Sequence, residues 1–259
     1  MKELPFSIIT VCFNEAARIA LTCESVVNQT FQEFDWIVLD GGSTDGTRDI
    51  LKQYAHRMNS FVSEPDRGIY HAMNKGIAQA RGTYLLFLNG GDYLYQPDVL
   101  ASVSTSLTSR AKDLYYGDIF FERRDHWKRV SIELTNPYEL FIRRTLPHQA
   151  MFIKRELFER YGYYDESFPI AADLDFLLRV FVSSSSRKEH TIEHLPVLIS
   201  VYDSMHGASA RDLPTTRTEK NNLRRKHYPV LYFLYRQWTP RIFQYWQRRL
   251  NLIKRGLKK

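Results

Sequence analysis

The first ninety-five residues alternate between short, unbroken apolar runs and segments with helical spacing, and that alternation restricts the chain to a sheet of parallel strands with helical crossovers. Phe6 to Phe13 (FSIITVCF) is a β-branched, nearly continuous apolar run, the pattern of a parallel strand buried on both faces. Asn14 breaks it, and residues 15–28 then carry Ala16, Ile19, Ala20, Cys23, Val26 and Val27 at helical spacing. The same logic predicts strands over Phe34–Leu39, Phe61–Ser63 and Tyr84–Leu88, and helices over Thr47–Tyr54 and Ile69–Ala80. Ligands of such sheets sit at the carboxyl ends of the strands. Here those ends are Asn14, Asp40, Glu64 to Asp66 and Asn89 to Asp92, polar in every case.

The middle of the chain is less regular. It predicts a helix over Asp98–Leu107, antiparallel strands over Asp113–Glu122 and Trp127–Leu134, and a short strand over Ala150–Ile153 after Pro147-His148-Gln149. Helices are expected over Lys154–Tyr161 and Asp173–Val182, and a loop over Ser183–Ser186. No internal repeat and no long Pro/Gly/Ser linker divides the 259 residues, so one compact body is expected over residues 1–219, in two halves, 1–95 and 96–219.

Charge separates the remainder from that body. After Glu219 there is no Asp or Glu, whereas residues 220–259 hold 12 of the 36 Lys and Arg; the first 219 residues are net −5 and the tail +12. The tail interleaves these cations with Tyr228, Tyr232, Phe233, Tyr235, Trp238, Phe243, Tyr245 and Trp246. That pattern predicts a helix lying on an anionic membrane surface; the alternative is a helix packed on the body with a solvated basic face. No nucleic-acid-binding module accompanies the charge, so no nucleic-acid partner is expected. Two cysteines, Cys12 and Cys23, make no disulfide framework. No apolar run approaches a membrane span, and Met1 to Pro5 lacks a leader's apolar stretch. The expected location is the cytoplasm, peripheral on the inner face of the membrane.

Asp40-Gly41-Gly42-Ser43-Thr44-Asp45-Gly46-Thr47 is a glycine-containing strand-to-helix turn, a usual place for a nucleotide or phosphate, though a helix N-cap with turn glycines reads the same way. Its glycines do not fit G-x-G-x-x-G, and no G-x-x-x-x-G-K-[ST] occurs, which demotes dehydrogenases and P-loop ATPases. Together with Val11-Cys12-Phe13-Asn14-Glu15, with Ser63 to Ile77 (SEPDRGIYHAMNKGI), with Leu88-Asn89-Gly90-Gly91-Asp92, with His148 to Phe152, with Gly162 to Phe168 and with Ala171-Ala172-Asp173-Leu174-Asp175, this turn resembles family 2 glycosyltransferases of the GT-A fold, in their bacterial cell-surface polysaccharide branch. The resemblance runs over about residues 5–210, in order.

The resemblance implies an α/β fold of GT-A type, a mainly parallel nucleotide-binding sheet flanked by helices, followed here by the basic helical tail. It implies an inverting transfer of a sugar from a nucleotide-sugar to a hydroxyl of a lipid-linked saccharide. Thr10, Asn14 and Glu15 would line the nucleotide pocket, Asp40 would bond the base, and Asp66 and Arg67 would lie near base or ribose. Asn74 and Lys75 would close over the donor, with Asn89 beside it. Asp173 would be the general base, a role that suits a carboxylate within reach of the acceptor hydroxyl. His148 and Gln149 are acceptor-side candidates. The family's D-x-D motif binds Mg²⁺ or Mn²⁺; here it reads Asn89-Gly90-Gly91 with its carboxylate at Asp92, so Asp92, helped by His206, is the expected metal ligand. The rivals are a catalytically degenerate nucleotide-sugar binding protein, motivated by the altered D-x-D, and a nucleotidyltransferase.

Overall fold

A computed structural model describes residues 4–107, 111–123, 126–132, 145–183, 190–205 and 212–227. Its elements in chain order are β1 (Phe6–Cys12), α1 (Ile19–Val27), β2 (Phe34–Asp40), α2 (Thr47–Tyr54), β3 (Ser60–Ser63), α3 (Ile69–Gln79), β4 (Tyr84–Phe87), β5 (Tyr93–Leu94) and α4 (Val99–Ser106). There follow β6 (Leu114–Glu122), β7 (Trp127–Val130), β8 (Met151–Lys154), α5 (Arg155–Tyr161), α6 (Ala172–Leu178), β9 (Ile192–Asp203) and α7 (Leu213–His227).

All of these strands join one sheet in the order β3-β2-β1-β4-β8-β6-β9-β5, with β7 beside β6. The first four are mutually parallel, as the apolar runs require. β8 then pairs antiparallel with β4 and β6, so the sheet beyond β4 is of mixed direction. The two faces of the parallel part feed two cores. Ile9, Val11, Ile37, Leu39, Leu85 and Phe87 face α3, α5 and α6, while Phe6, Ile8, Trp36, Val38, Tyr84 and Leu86 face α1 and α4. Because both faces are covered, β1 is buried at every residue.

Several expected elements shift for identifiable reasons. The helix expected from residue 15 starts at Ile19, because residues 14–16 are tied to the turn after β2 instead. Asn14 N–H donates to Ser43 Oγ (2.8 Å), Glu15 N–H to Thr47 Oγ1 (2.8 Å), Ala16 N–H to Asp45 Oδ2 (2.9 Å), and Asn14 Oδ1 accepts from Thr44 N–H (2.9 Å). Asn14 takes φ 54°, the left-handed conformation that Asn tolerates best among residues with a Cβ. β5 and β9 were not expected from the sequence. Helix α6 is followed by a π-turn, Arg179–Ser183; the rest of the expected 183–186 loop lies outside the described residues. Helix α7 runs straight through the expected 219/220 boundary and packs on α6, and residues 228–259 of the tail lie outside the described residues.

Candidate active site

The carboxyl ends of β1 and β4, the turn His148–Ala150, the start of α6 and the side of α7 enclose a cleft of about 410 Å³. Two glycines let its walls meet. A Cβ on Gly41 would stand 2.6 Å from Asp66 Oδ2 and 3.4 Å from the Phe13 ring, so the end of β2 admits both side chains only because residue 41 has none. A Cβ on Gly90 would lie 2.8 Å from that of Cys12, so the loop after β4 seats against β1 for the same reason.

Of the residues singled out above, Glu15, Asp66, Asn89, Asp92, His148, Gln149 and Asp173 line the cleft together. The rest are placed otherwise. Thr10 is a correction: it is fully buried and its hydroxyl accepts from Trp36 Nε1 (3.0 Å), because its position in the strand turns it into the core beneath the sheet. Asn14 binds the turn after β2, as above. Asp40 is buried, and its carboxylate accepts from Ser63 Oγ (2.6 Å), Ser43 N–H and the Ser43 hydroxyl, so it organises the turn rather than facing the cleft. Arg67 pairs with Glu166 (2.8 Å) at the surface. Asn74 fastens the Tyr164 loop, donating to Tyr164 O (3.0 Å) and accepting from Tyr164 N–H (3.0 Å). Lys75 pairs with Glu64 (2.5 Å). His206 lies outside the described residues.

Two linked clusters occupy the cleft. In the first, Asp92 is buried; its Oδ1 accepts from Asp203 N–H (2.9 Å) and its Oδ2 from Gln149 Nε2 (3.0 Å). Burial pushes its carboxyl up to about 7, against those hydrogen bonds and the charge of His148. Asp203, at the end of β9, is ion-paired with Arg18 (3.0 Å). In the second, His148 bridges Asn89 and Asp173: its Nε2 is 3.0 Å from Asn89 Nδ2 and its Nδ1 3.4 Å from Asp173 Oδ2. With a proton on Nδ1, His148 points a donor at Asp173. Asp173 Oδ1 accepts from Leu174 N–H (2.7 Å) and lies 3.3 Å from Tyr70 OH. Burial would raise Asp173, but the His148 hydrogen bond and charge, with Lys220 nearby, hold it below the ordinary carboxylate range.

The clusters differ in chemistry accordingly. Asp173 is a carboxylate held ionised beside a neighbouring imidazole. Asp92 is a carboxylate whose charge needs a partner. Among the described residues no group of three or more His, Cys, Asp or Glu side chains is placed to hold a metal ion. The donors present still fit a hard divalent cation, which commonly takes one or two carboxylates and completes its shell with water and substrate phosphate. Both Asp92 oxygens keep lone pairs, and among the described residues the buried Asn89 Oδ1 has no hydrogen-bond partner.

The residues that sequence reasoning missed are Phe13, Tyr70, Asp203 and Lys220. Phe13 is 57% exposed at the tip of β1, an aromatic side chain left open in the cleft wall. It carried a signal of its own, a large apolar residue immediately after the last buried position of the strand.

This arrangement, a parallel sheet whose carboxyl ends present acidic side chains to a cleft shared with a mixed-direction half, is that of GT-A glycosyltransferases. Solved structures agree: TarS of S. aureus in complex with UDP-GlcNAc superposes with TM-score 0.70 at 18% identity, over 89% of this chain and 67% of that one. A mannosyltransferase from Pyrobaculum calidifontis in complex with GDP-Man and Mn²⁺ superposes with TM-score 0.60 at 18% identity, over 87% and 62%. Against the shorter TarS 1–349 alignment, this chain spans 61% of the TarS length. Among curated proteins, a PGL/p-HBAD biosynthesis glycosyltransferase of Mycobacterium bovis is 34% identical over 208 residues, 79% of this chain and 78% of the relative. An uncharacterized glycosyltransferase of Mycobacterium tuberculosis is 35% identical over 176 residues, 67% of each chain. The pattern of Glycosyl transferase family 2 matches residues 7–162. The chain belongs to that family and is a glycosyltransferase.

Proposed function

We propose that this glycosyltransferase moves a sugar from a nucleoside-diphosphate sugar to a hydroxyl of a lipid-linked saccharide, with inversion, in the synthesis of a cell-surface polysaccharide. The observation that carries the reading is the pairing of an ionised, histidine-held Asp173 with a charge-starved Asp92 in one cleft. The acceptor oxygen bonds to the anomeric carbon, Asp173 takes its proton, and the bond from that carbon to the diphosphate breaks as the nucleoside diphosphate departs. His148 holds Asp173 in place and stabilises its charge. Asp92, with Asn89, would hold Mg²⁺ or Mn²⁺, which when bound supplies positive charge against the diphosphate. Solved neighbours that carry UDP-GlcNAc, GDP-Man or Mn²⁺ support the choice of donor and cation. The named curated relatives are glycosyltransferases, which leaves the nucleotidyltransferase alternative without support.

Phe13 fits the donor's base, since an open aromatic face binds any nucleobase by stacking. Stacking is worth about 1–3 kcal/mol per base. The expected result is that UDP or GDP with Mn²⁺ raises the unfolding temperature of the parent, and that Phe13→Ala weakens that nucleotide about tenfold by calorimetry. If no nucleoside diphosphate stabilises the parent, the donor assignment fails.

The basic, aromatic tail supports a peripheral place on an anionic membrane. Among the described residues no helix is long and apolar enough to cross one. Each basic residue near an anionic surface contributes about 1 kcal/mol. Because α7 belongs to the body, the informative truncation ends after His227. It should lose binding to vesicles containing anionic lipid while keeping nucleotide binding; sedimentation equal to the parent's would remove the membrane role from residues 228–259.

A further inference from the structure

The side chains lining the cleft are strongly unbalanced in charge. Glu15, Asp66, Asp92, Asp173 and Asp203 contribute five carboxylates, and among the described residues Lys220 is the one Lys or Arg. Among the described residues its ammonium forms no ion pair with the cleft's carboxylates, and Lys75, which the resemblance places over the donor, is taken by Glu64 outside the cleft. An ammonium that lines the cleft and acts on Asp173 only at longer range is placed to meet an anion that enters.

Its position is not accidental to the helix. The neighbouring Glu219 accepts from Ile170 N–H (3.1 Å) and Ala171 N–H (2.9 Å), closing the start of α6. Seven and eight residues on, Lys226 and His227 approach the buried Asp175 of α6, at 4.0 and 3.7 Å. Helix α7 is therefore fixed to α6 at two points, and the first of them holds the backbone of residue 220 at the cleft wall, on the side of Asp173.

We propose that Lys220 binds a substrate phosphate in this cleft. This rests on the reading of the cleft as a nucleotide-sugar site, where phosphate enters with the donor's diphosphate or with a phosphate that links the acceptor to its lipid. A lysine serves such a group as a mobile point charge. Removing one charged hydrogen bond of this kind weakens binding about tenfold or more.

The test uses the full chain and the variants Lys220→Met, Lys220→Gln and Lys220→Arg, with Arg217→Met, on the exposed side of the same helix, as the control for net charge. Unfolding temperatures establish that each is folded. Calorimetry with Mn²⁺ present then measures UDP and GDP against uridine and guanosine, and dodecyl phosphate against dodecyl maltoside. Weaker UDP or GDP with unchanged nucleoside, restored by Lys220→Arg, assigns the phosphate to the donor. Weaker dodecyl phosphate with unchanged nucleoside diphosphate assigns it to the acceptor. If Lys220→Met and Lys220→Gln bind every phosphate as the parent does, and only the pH dependence of turnover moves, Lys220 serves Asp173 and the proposal is overturned. A parent that binds dodecyl phosphate through Lys220 but no nucleoside diphosphate would sink the donor assignment and leave this one standing; a parent that binds neither overturns both.

Discussion

Asp173→Asn is expected to lower turnover at saturating donor and acceptor by about 10²- to 10⁴-fold, the usual cost of removing a positioned proton acceptor, and to leave nucleoside diphosphate affinity near the parent's. The substitution is a clean one because the surrounding network can reverse. An asparagine oxygen still accepts from Leu174 N–H, and its amide can donate to His148 Nδ1 once the imidazole carries its proton on Nε2. That proton then meets Asn89 after its amide turns, giving a donor to the oxygen that has none among the described residues of the parent. Folding is kept and only the proton acceptor is lost. The pH dependence has a definite sign. Burial raises Asp173, yet His148 and Lys220 more than offset it, so the folded carboxyl titrates below its unfolded value of about 3.9. Its contribution to stability is therefore present above that value and lost as pH falls through the folded one, and Asp173 is ionised throughout the neutral range. Parental turnover in Asp173→Asn would transfer the role of base to another residue.

What could be read in advance, and what could not, follows the way each half of the fold buries its strands. β1, β2 and β4 are covered on both faces, so they appear as continuous apolar runs; of the polar residues that end them, Asn89 lines the cleft while Asn14 and Asp40 organise the turn beside it. The last long strand, β9, escaped notice because Pro196 sits inside it and its burial alternates irregularly. It pairs with β6 in parallel, with the register shifting between Tyr116 and Asp118. β5 is two residues long and carries no period at all. The carboxylates of the site were legible because their motifs are local: Asp92 follows a strand and Asp173 opens a helix. Thr10 was misplaced because it lies two residues short of the strand's end, bonded to the Trp36 indole, whereas Cys12 on the same face of β1 reaches the cleft. Asp203 and Lys220 were invisible for a different reason. Their place beside Asp92 and Asp173 is made by packing across 111 and 47 positions of chain, which no window of sequence contains.

Asp92→Asn should reduce transfer by at least about 10²-fold while leaving the fold as stable as the parent or more so. The geometry permits the replacement: one amide oxygen accepts from Asp203 N–H, and Gln149 need only turn its own amide to accept from the new N–H₂. A neutral amide also avoids the cost of ionising a buried carboxyl. In the parent that cost is visible in the titration, since burial lifts Asp92 from its ordinary value to about 7. A raised carboxyl favours the folded state while protonated. Its contribution is fully present below the unfolded value of about 3.9 and is lost as pH rises through about 7. A cation held by Asp92 must displace that proton below about pH 7 and meets no proton above it, so the apparent affinity for Mn²⁺ with nucleoside diphosphate should rise with pH. Unfolding temperatures measured with and without Mn²⁺ and the better-binding nucleoside diphosphate should thus diverge progressively between about pH 5.5 and pH 8, on either side of that titration. In Asp92→Asn the divergence should vanish at every pH, and chelation of the parent should reproduce the variant's loss of transfer. Full transfer by the parent in excess EDTA would show instead that this cleft handles the departing diphosphate with its own side chains, and Lys220 would then be the first residue to examine.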